Sequence, residues 1–168
     1  MLSIIPATTD VELDAARTLM RAFVAWHREH HQADIALIDA YFDADAFEAE
    51  LAGLSEVYAP PDGSVLLALV AGTPAGCGAL HRLDESCGEL KRMFVSTSYR
   101  GRGVGLALGQ ALLEAARTAG YRRLRLDTSI RQLEAQKLYA RLGFRPIKPY
   151  YSAPRELIDW LVFMELSL

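Results

Sequence analysis

The segment Arg100-Gly101-Arg102-Gly103-Val104-Gly105 constrains the fold more than any other part of the chain. Three glycines in five positions fit neither a strand interior nor the middle of a helix without cost. They read as a turn, and the two sides of that turn have different periods. Before it, Gly88 to Val95 reads as a strand. After it, Gly103 to Ala119 repeats apolar residues at helical spacing, with Leu106, Leu108, Leu112, Leu113 and Ala116 as buried candidates, and Gly120 ends the run. Arg123 to Asp127 is strand-like again, with Leu124 and Leu126 alternating. Strand, helix and strand over residues 88 to 127 require a parallel crossover.

The rest of the chain supplies the partners of that unit. Leu2 to Pro6 predicts a strand. Thr9 or Asp10 caps a helix reaching about His30, with an apolar stripe of Val11, Ala15, Leu19, Phe23 and Trp26. A second helical stretch lies within Ile35 to Leu54, and Pro60-Pro61-Asp62-Gly63 breaks the chain. Ser64 to Ala71 is almost wholly apolar and strand-like. Gly72-Thr73-Pro74 reads as a turn, Ala75 to Leu83 as the return strand, and Asp84-Glu85-Ser86 as the next turn, giving an antiparallel meander. Leu133 to Leu142 is a helix closed by Gly143. Phe144 to Ile147 and Trp160 to Leu166 are the last strands. The expected class is α/β in the mixed α+β sense: a central, mostly antiparallel sheet with one parallel pair and helices on both faces. At 168 residues, 1–168 is expected to form a single domain.

Composition excludes several function classes. Lys plus Arg number 18 against 21 Asp plus Glu, a net charge of −3, so no nucleic-acid partner is expected. The longest apolar run, Val65 to Ala71, is far below the ~20 residues that cross a bilayer, so no membrane partner is expected. Met1 to Pro6 has no basic stretch before its apolar residues, and the two cysteines lack CxxC spacing; a cytoplasmic, reducing setting follows as the expectation. Cys77 reads as a core residue and Cys87 as a turn thiol. His27 and His31 share a helix face, but no Cys or carboxylate is fixed beside them, so no metal is expected and His27, His30 and His31 read as solvated or substrate-lining.

The glycine turn has a chemical reading of its own. N–H groups at the opening of a helix converge on an anion, and the helix start adds about half a positive charge. Arg100 and Arg102 are expected to add mobile charge at the rim. A phosphate loop would need Lys-Ser/Thr after its last glycine, where Leu106-Ala107 stand. A dinucleotide fingerprint fails at its sixth position, occupied by Leu106 or Leu108 depending on the start.

The spacing Arg100-x-x-Gly103-x-Gly105 resembles the acyl-CoA-binding motif of the GCN5-related N-acetyltransferases (GNAT family). The resemblance runs back through Glu89-Leu90-Lys91-Arg92-Met93-Phe94-Val95 and forward to Ala135-Gln136-Lys137-Leu138-Tyr139-Ala140-Arg141-Leu142-Gly143-Phe144. It is specific over about 88 to 145 and general over the first 60 residues. It implies that the parallel strand pair splays, and that acetyl-CoA is the co-substrate. Its pyrophosphate would rest on Arg100, Gly101, Arg102, Gly103, Val104 and Gly105, and its pantetheine arm beside Met93, Phe94 and Val95. An amide of Phe94 or Val95 would polarise the thioester.

The same resemblance implies two proton-transfer groups. Glu89 matches the general base; otherwise it would be a solvated strand carboxylate paired with Lys91 or Arg82. Tyr139 matches the acid that protonates the departing thiolate; otherwise it is a half-buried tyrosine. Many relatives carry an asparagine seven residues before that tyrosine, and this chain has Gln132. Tyr150, Tyr151 and Trp160 lie where the family often shapes its acceptor pocket, and serve equally as packing. The expected function is acetyl-CoA-dependent N-acetyl transfer to an amine of a small molecule or peptide, by direct attack in a ternary complex. A non-catalytic acyl-CoA sensor on the same fold is the alternative, with a regulator holding another phosphate behind it. The resemblance leaves a homodimer open.

Overall fold

The computed structural model describes residues 1–168. Seven strands form one sheet: β1 (Leu2–Pro6), β2 (Ser64–Val70), β3 (Thr73–Arg82), β4 (Cys87–Val95), β5 (Arg123–Ser129), β6 (Arg145–Ile147) and β7 (Leu161–Ser167). Their order across the sheet is β1-β2-β3-β4-β5-β7-β6. Every neighbouring pair is antiparallel except β4 and β5. The helices are α1 (Asp10–His30), α2 (Ile35–Tyr41), α3 (Ala44–Ala52), α4 (Leu54–Val57), α5 (Val104–Thr118), α6 (Leu133–Leu142) and α7 (Arg155–Trp160).

Strand alternation sends each strand's apolar residues to two cores. In β2, Val65 and Leu67 join Leu13, Met20, Phe23, Ile38 and Leu51 from α1 to α3. Leu66, between them, joins Leu108, Leu112 and Leu113 of α5 on the other face. The sheet thus has helices on both faces, as expected. α1 begins at a capping box: Thr9 accepts from the Glu12 amide, and Glu12 reaches back to the Thr9 amide at 2.9 Å.

Several boundaries differ from the sequence reading. The buried face of α1 is Leu13, Ala16, Leu19, Met20, Phe23 and His27, while Val11 is 80% exposed. Stepping by four residues drifts by about 40° each time, so Val11 and Ala15 leave the face that Leu19 and Phe23 share. The stretch Ile35 to Leu54 holds α2, α3 and the first residue of α4, with Asp43 capping α3 by accepting from the Ala46 amide. The first hairpin turns on Ala71 and Gly72, both at positive φ (50° and 80°), so Thr73 and Pro74 already pair in β3. Cys87 is not a turn thiol; it is fully buried as the first residue of β4, opposite Arg123. Trp160 ends α7 rather than opening the last strand.

Candidate active site

The parallel ladder between β4 and β5 is three residues long: Cys87, Gly88 and Glu89 face Arg123, Leu124 and Arg125. Beyond Glu89 the strands part. β5 continues against β7 down to Ser129, whereas β4 follows β3 through a bulge. Lys91 faces Ala79 and Phe94 faces Cys77, which leaves Arg92 and Met93 against Gly78. Arg92 holds a left-handed φ of 58°, unfavourable for a side-chain-bearing residue by about 1–2 kcal/mol. Its side chain is fixed in compensation. Nε and an Nη donate to the two Glu50 oxygens of α3 at 2.8 and 3.0 Å, over the rings of Phe42 and Phe47. Nothing local in the sequence marks this pair, since 42 residues separate its members.

The gap holds a cavity of about 40 Å³. Lys91, Arg92 and Met93 line it from β4, Asp127, Thr128 and Ser129 from β5, and Phe23, His27, Tyr41, Trp160 and Tyr139 from the helices. A second cavity, about 720 Å³, runs along Met93, Phe94, Val95, Arg100, Gly101, Gly103, Val104 and Gly105. Eight of the nine residues expected to bind cofactor therefore share one groove. Arg102 does not line it; that side chain lies out over the Tyr99 ring. Phe23, Met93, Gln132 and Tyr139 belong to both walls, so the cavities meet there.

The groove's anion-binding part is backbone. Gly101 and Gly103 have φ of 73° and 78°, and nothing lies within 4 Å of where a Cβ would be on either. The amides of Gly103, Val104, Gly105 and Leu106 find no acceptor within the protein. These residues fit a phosphate or pyrophosphate group. Arg100 corrects an expectation. It is not a mobile rim charge: Nε donates to the Val95 carbonyl at 3.0 Å, and the guanidinium lies 4.2 Å from the Trp26 ring centre. Burial lowers its pKa.

Tyr139 is 7% exposed, edge-on to Phe144. Burial, then the Asp127 charge, push its hydroxyl pKa well up, so it stays protonated at neutral pH. Gln132 is occupied: its carbonyl oxygen accepts from Thr128 Oγ1 at 2.9 Å and from the Ser129 amide at 3.3 Å.

Glu89 is 5% exposed and is not a solvated strand carboxylate. Nε2 of His81 lies 2.7 Å from Oε1, and the Tyr150 hydroxyl donates to Oε2. Burial pushes its pKa up, but the His81 bond, the Lys91 charge and the Tyr150 bond outweigh it and hold the group below the usual carboxylate range. Arg82 pairs with Asp62 instead, and Lys91 forms no ion pair with Glu89 although its charge acts on it. Glu89 lines neither cavity. His81 could have been found from the sequence, because 81 and 89 are equidistant from the turn at Asp84-Glu85-Ser86 and so face each other.

Two further groups escaped the sequence. Asp127 accepts from the hydroxyls of Tyr41 and Tyr151, the latter at 2.8 Å. Adjacent tyrosines of one loop thus cap the two carboxylates of neighbouring strands, Tyr150 on Glu89 and Tyr151 on Asp127. His27 is neither solvated nor paired to a metal ligand. It is 1% exposed between the Phe23 and Trp160 rings, and burial chiefly pulls its pKa to about 4. No group of three or more His, Cys, Asp or Glu is placed to hold a metal. No helix is long and apolar enough to cross a membrane.

Comparison with known proteins agrees with this geometry. The model of the acetyltransferase (GNAT) family matches residues 30–144. An uncharacterized N-acetyltransferase of Schizosaccharomyces pombe is 36% identical over 121 residues, 71% of this chain and 72% of that one. An IAA acetyltransferase of Azospirillum brasilense is 36% identical over 137 residues, 78% and 86% of the two chains. The crystal structure of the PaiA N-acetyltransferase of Thermoplasma acidophilum in complex with coenzyme A superposes with a TM-score of 0.73 at 16% identity, covering 100% of this chain and 99% of that one.

Proposed function

Because the chain belongs to the GNAT acetyltransferase family, we propose that it moves acetyl from acetyl-CoA to the amine of a small molecule or peptide, by direct attack in a ternary complex. The observation that carries this reading is the meeting of the two cavities at Tyr139, where β4 and β5 part. Acetyl-CoA would supply an activated thioester and a thiol leaving group.

Each role falls to residues already placed. The free amides from Gly103 to Leu106 and the positive-φ glycines favour the pyrophosphate in the groove. Arg100, held against Trp26, contributes a fixed charge beside it. Met93, Phe94 and Val95 line the path to the splay, and an amide of Phe94 or Val95 is the proposed oxyanion donor. Tyr139, which stays protonated at neutral pH, hands its proton to the departing sulfur; burial makes its hydroxyl a weaker acid, so the transfer is driven by the charge developing on sulfur. An alkylammonium acceptor must lose a proton before attacking. Glu89 is ionised at neutral pH and backed by His81; because it lines neither cavity, we assign it that proton through one bridging water.

The test is thiol release with saturating acetyl-CoA over a panel of primary amines. Amine-dependent release is expected. Coenzyme A binding with no release for any amine would overturn the reading.

A further inference from the structure

The small cavity in the splay carries more charge information than the family alone provides. Three charged side chains line it: Lys91, Arg92 and Asp127. Arg92 is satisfied by both oxygens of Glu50. His27 contributes no charge at neutral pH, its burial holding it at about 4. Lys91 makes no hydrogen bond or ion pair; its ammonium lies 5.6 Å from the centre of the Tyr41 ring. The nearby carboxylate of Glu89 is already engaged by His81 and Tyr150. Tyr41 in turn donates to one oxygen of Asp127. A cation without a partner and a tyrosine-oriented carboxylate therefore face one cavity, joined by a single ring.

Asp127 is built to receive a cation. Tyr41 fixes its Oδ1, and Oδ2 is held by the hydroxyl of Tyr151, a 37% exposed residue on the loop between β6 and α7. That hydroxyl stands where an incoming N–H donor would bind, so a bound ammonium would take its place on Oδ2. The cavity's about 40 Å³ admits only a few heavy atoms, so it is the reacting end of an acceptor that enters.

Resting on the acetyltransferase reading, we infer that the acceptor is a free α-amino acid, its ammonium on Asp127 and its carboxylate on Lys91. An anion beside Lys91 completes a charge-assisted pair in a partly desolvated site. A peptide N-terminus offers the same ammonium but a neutral amide in place of the carboxylate. Once bound, the ammonium's proton leaves by the Glu89 route.

The experiment compares L-alanine, L-serine and L-aspartate with their C1 carboxamides, under saturating acetyl-CoA. The free acids should exceed the carboxamides in kcat/KM by at least about tenfold, the effect of one hydrogen bond to a charged group. Lys91→Met should erase that ratio by raising KM for the acids, and Lys91→Arg should restore it. Asp127→Asn should raise KM for acids and carboxamides alike. Melting curves verify that the variants fold. Carboxamides turned over as well as or better than acids would overturn the inference in favour of a peptide N-terminus and leave acetyl transfer standing. A ratio unchanged in Lys91→Met would also overturn it. Thiol release with none of these acceptors, nor with any wider amine panel, would instead sink the acetyltransferase reading itself.

Discussion

The two cavities that meet at Tyr139 are built in opposite ways. The larger one lies between the stretch Met93 to Leu106 and a wall from α6 and α1, and its anion-binding part is the main chain of that one stretch. The smaller one is assembled from side chains of α1, α2, β4, β5, α6 and α7, brought together over more than a hundred residues of sequence. A backbone cradle depends on local conformation, which glycine spacing announces. A side-chain cavity depends on register and helix rotation, which only the folded chain resolves. The first should therefore tolerate many changes outside its loop, and the second should fail when a remote support is removed.

The largest test of that contrast is Glu50→Gln. Glu50 touches neither cavity's chemistry, yet it is the partner of the half-hidden Arg92 at the bulge; the two side chains are 18% and 10% exposed. Leaving one member of such a pair uncompensated costs about 3–5 kcal/mol. Chemical denaturation should show that loss, and acceptor KM should rise more than the coenzyme A dissociation constant. An unchanged midpoint would mean that the bulge does not need the pair.

His27→Gln probes the acceptor wall through pH. The folded pKa of His27, about 4, lies below the ordinary 6.5, so the unfolded chain takes up a proton that the folded chain refuses. Stability is accordingly full above about 6.5 and falls as pH drops from there toward 4. At 1.36 kcal/mol per unit the loss is about 3 kcal/mol. Melting curves over this window should show a weaker acid dependence for the variant; equal slopes would contradict the burial assigned to His27.

Gly103→Val should have the smallest cost in stability and act on the other region. The residue opens α5 at a φ of 78°, which a β-branched side chain resists by about 1–3 kcal/mol. Its Cβ would enter open space in front of the free amides. Coenzyme A affinity should fall about tenfold or more by calorimetry. Unchanged affinity would move the phosphate cradle elsewhere.

This contrast also explains what the sequence made legible. The strand–turn–helix–strand unit, α6 and the meander were readable because glycines and period changes mark them. Eight of the nine expected groove residues line it; Arg102 lies out over Tyr99, and Arg100 is turned toward Trp26, an aromatic partner 74 positions earlier in another element. In the acceptor cavity the sequence singles out Met93 and Tyr139 with roles, and His27 and Trp160 as pocket-lining candidates. Asp127 was read as the end of a strand, because nothing local says that β5 outruns its partner β4 there. Glu89 is singled out as the base, with Lys91 or Arg82 as its partner only in the alternative reading, whereas hairpin symmetry points to His81. Tyr150 and Tyr151 read equally as packing or function in the sequence, because their hydroxyl bonds to Glu89 and Asp127 come from a loop with no periodic signal.

Tyr139→Phe addresses the junction itself. The change keeps the ring against Phe144 and removes only the hydroxyl. The measurement is the single-turnover rate of thiol release, taken alongside the coenzyme A dissociation constant of the same protein. If Tyr139 donates the proton where the two cavities join, the chemical step slows roughly 10²- to 10⁴-fold while coenzyme A affinity stays at the wild-type value. A variant that releases thiol at the wild-type rate would contradict the account, and Tyr139 would then be a packing residue shared by two walls.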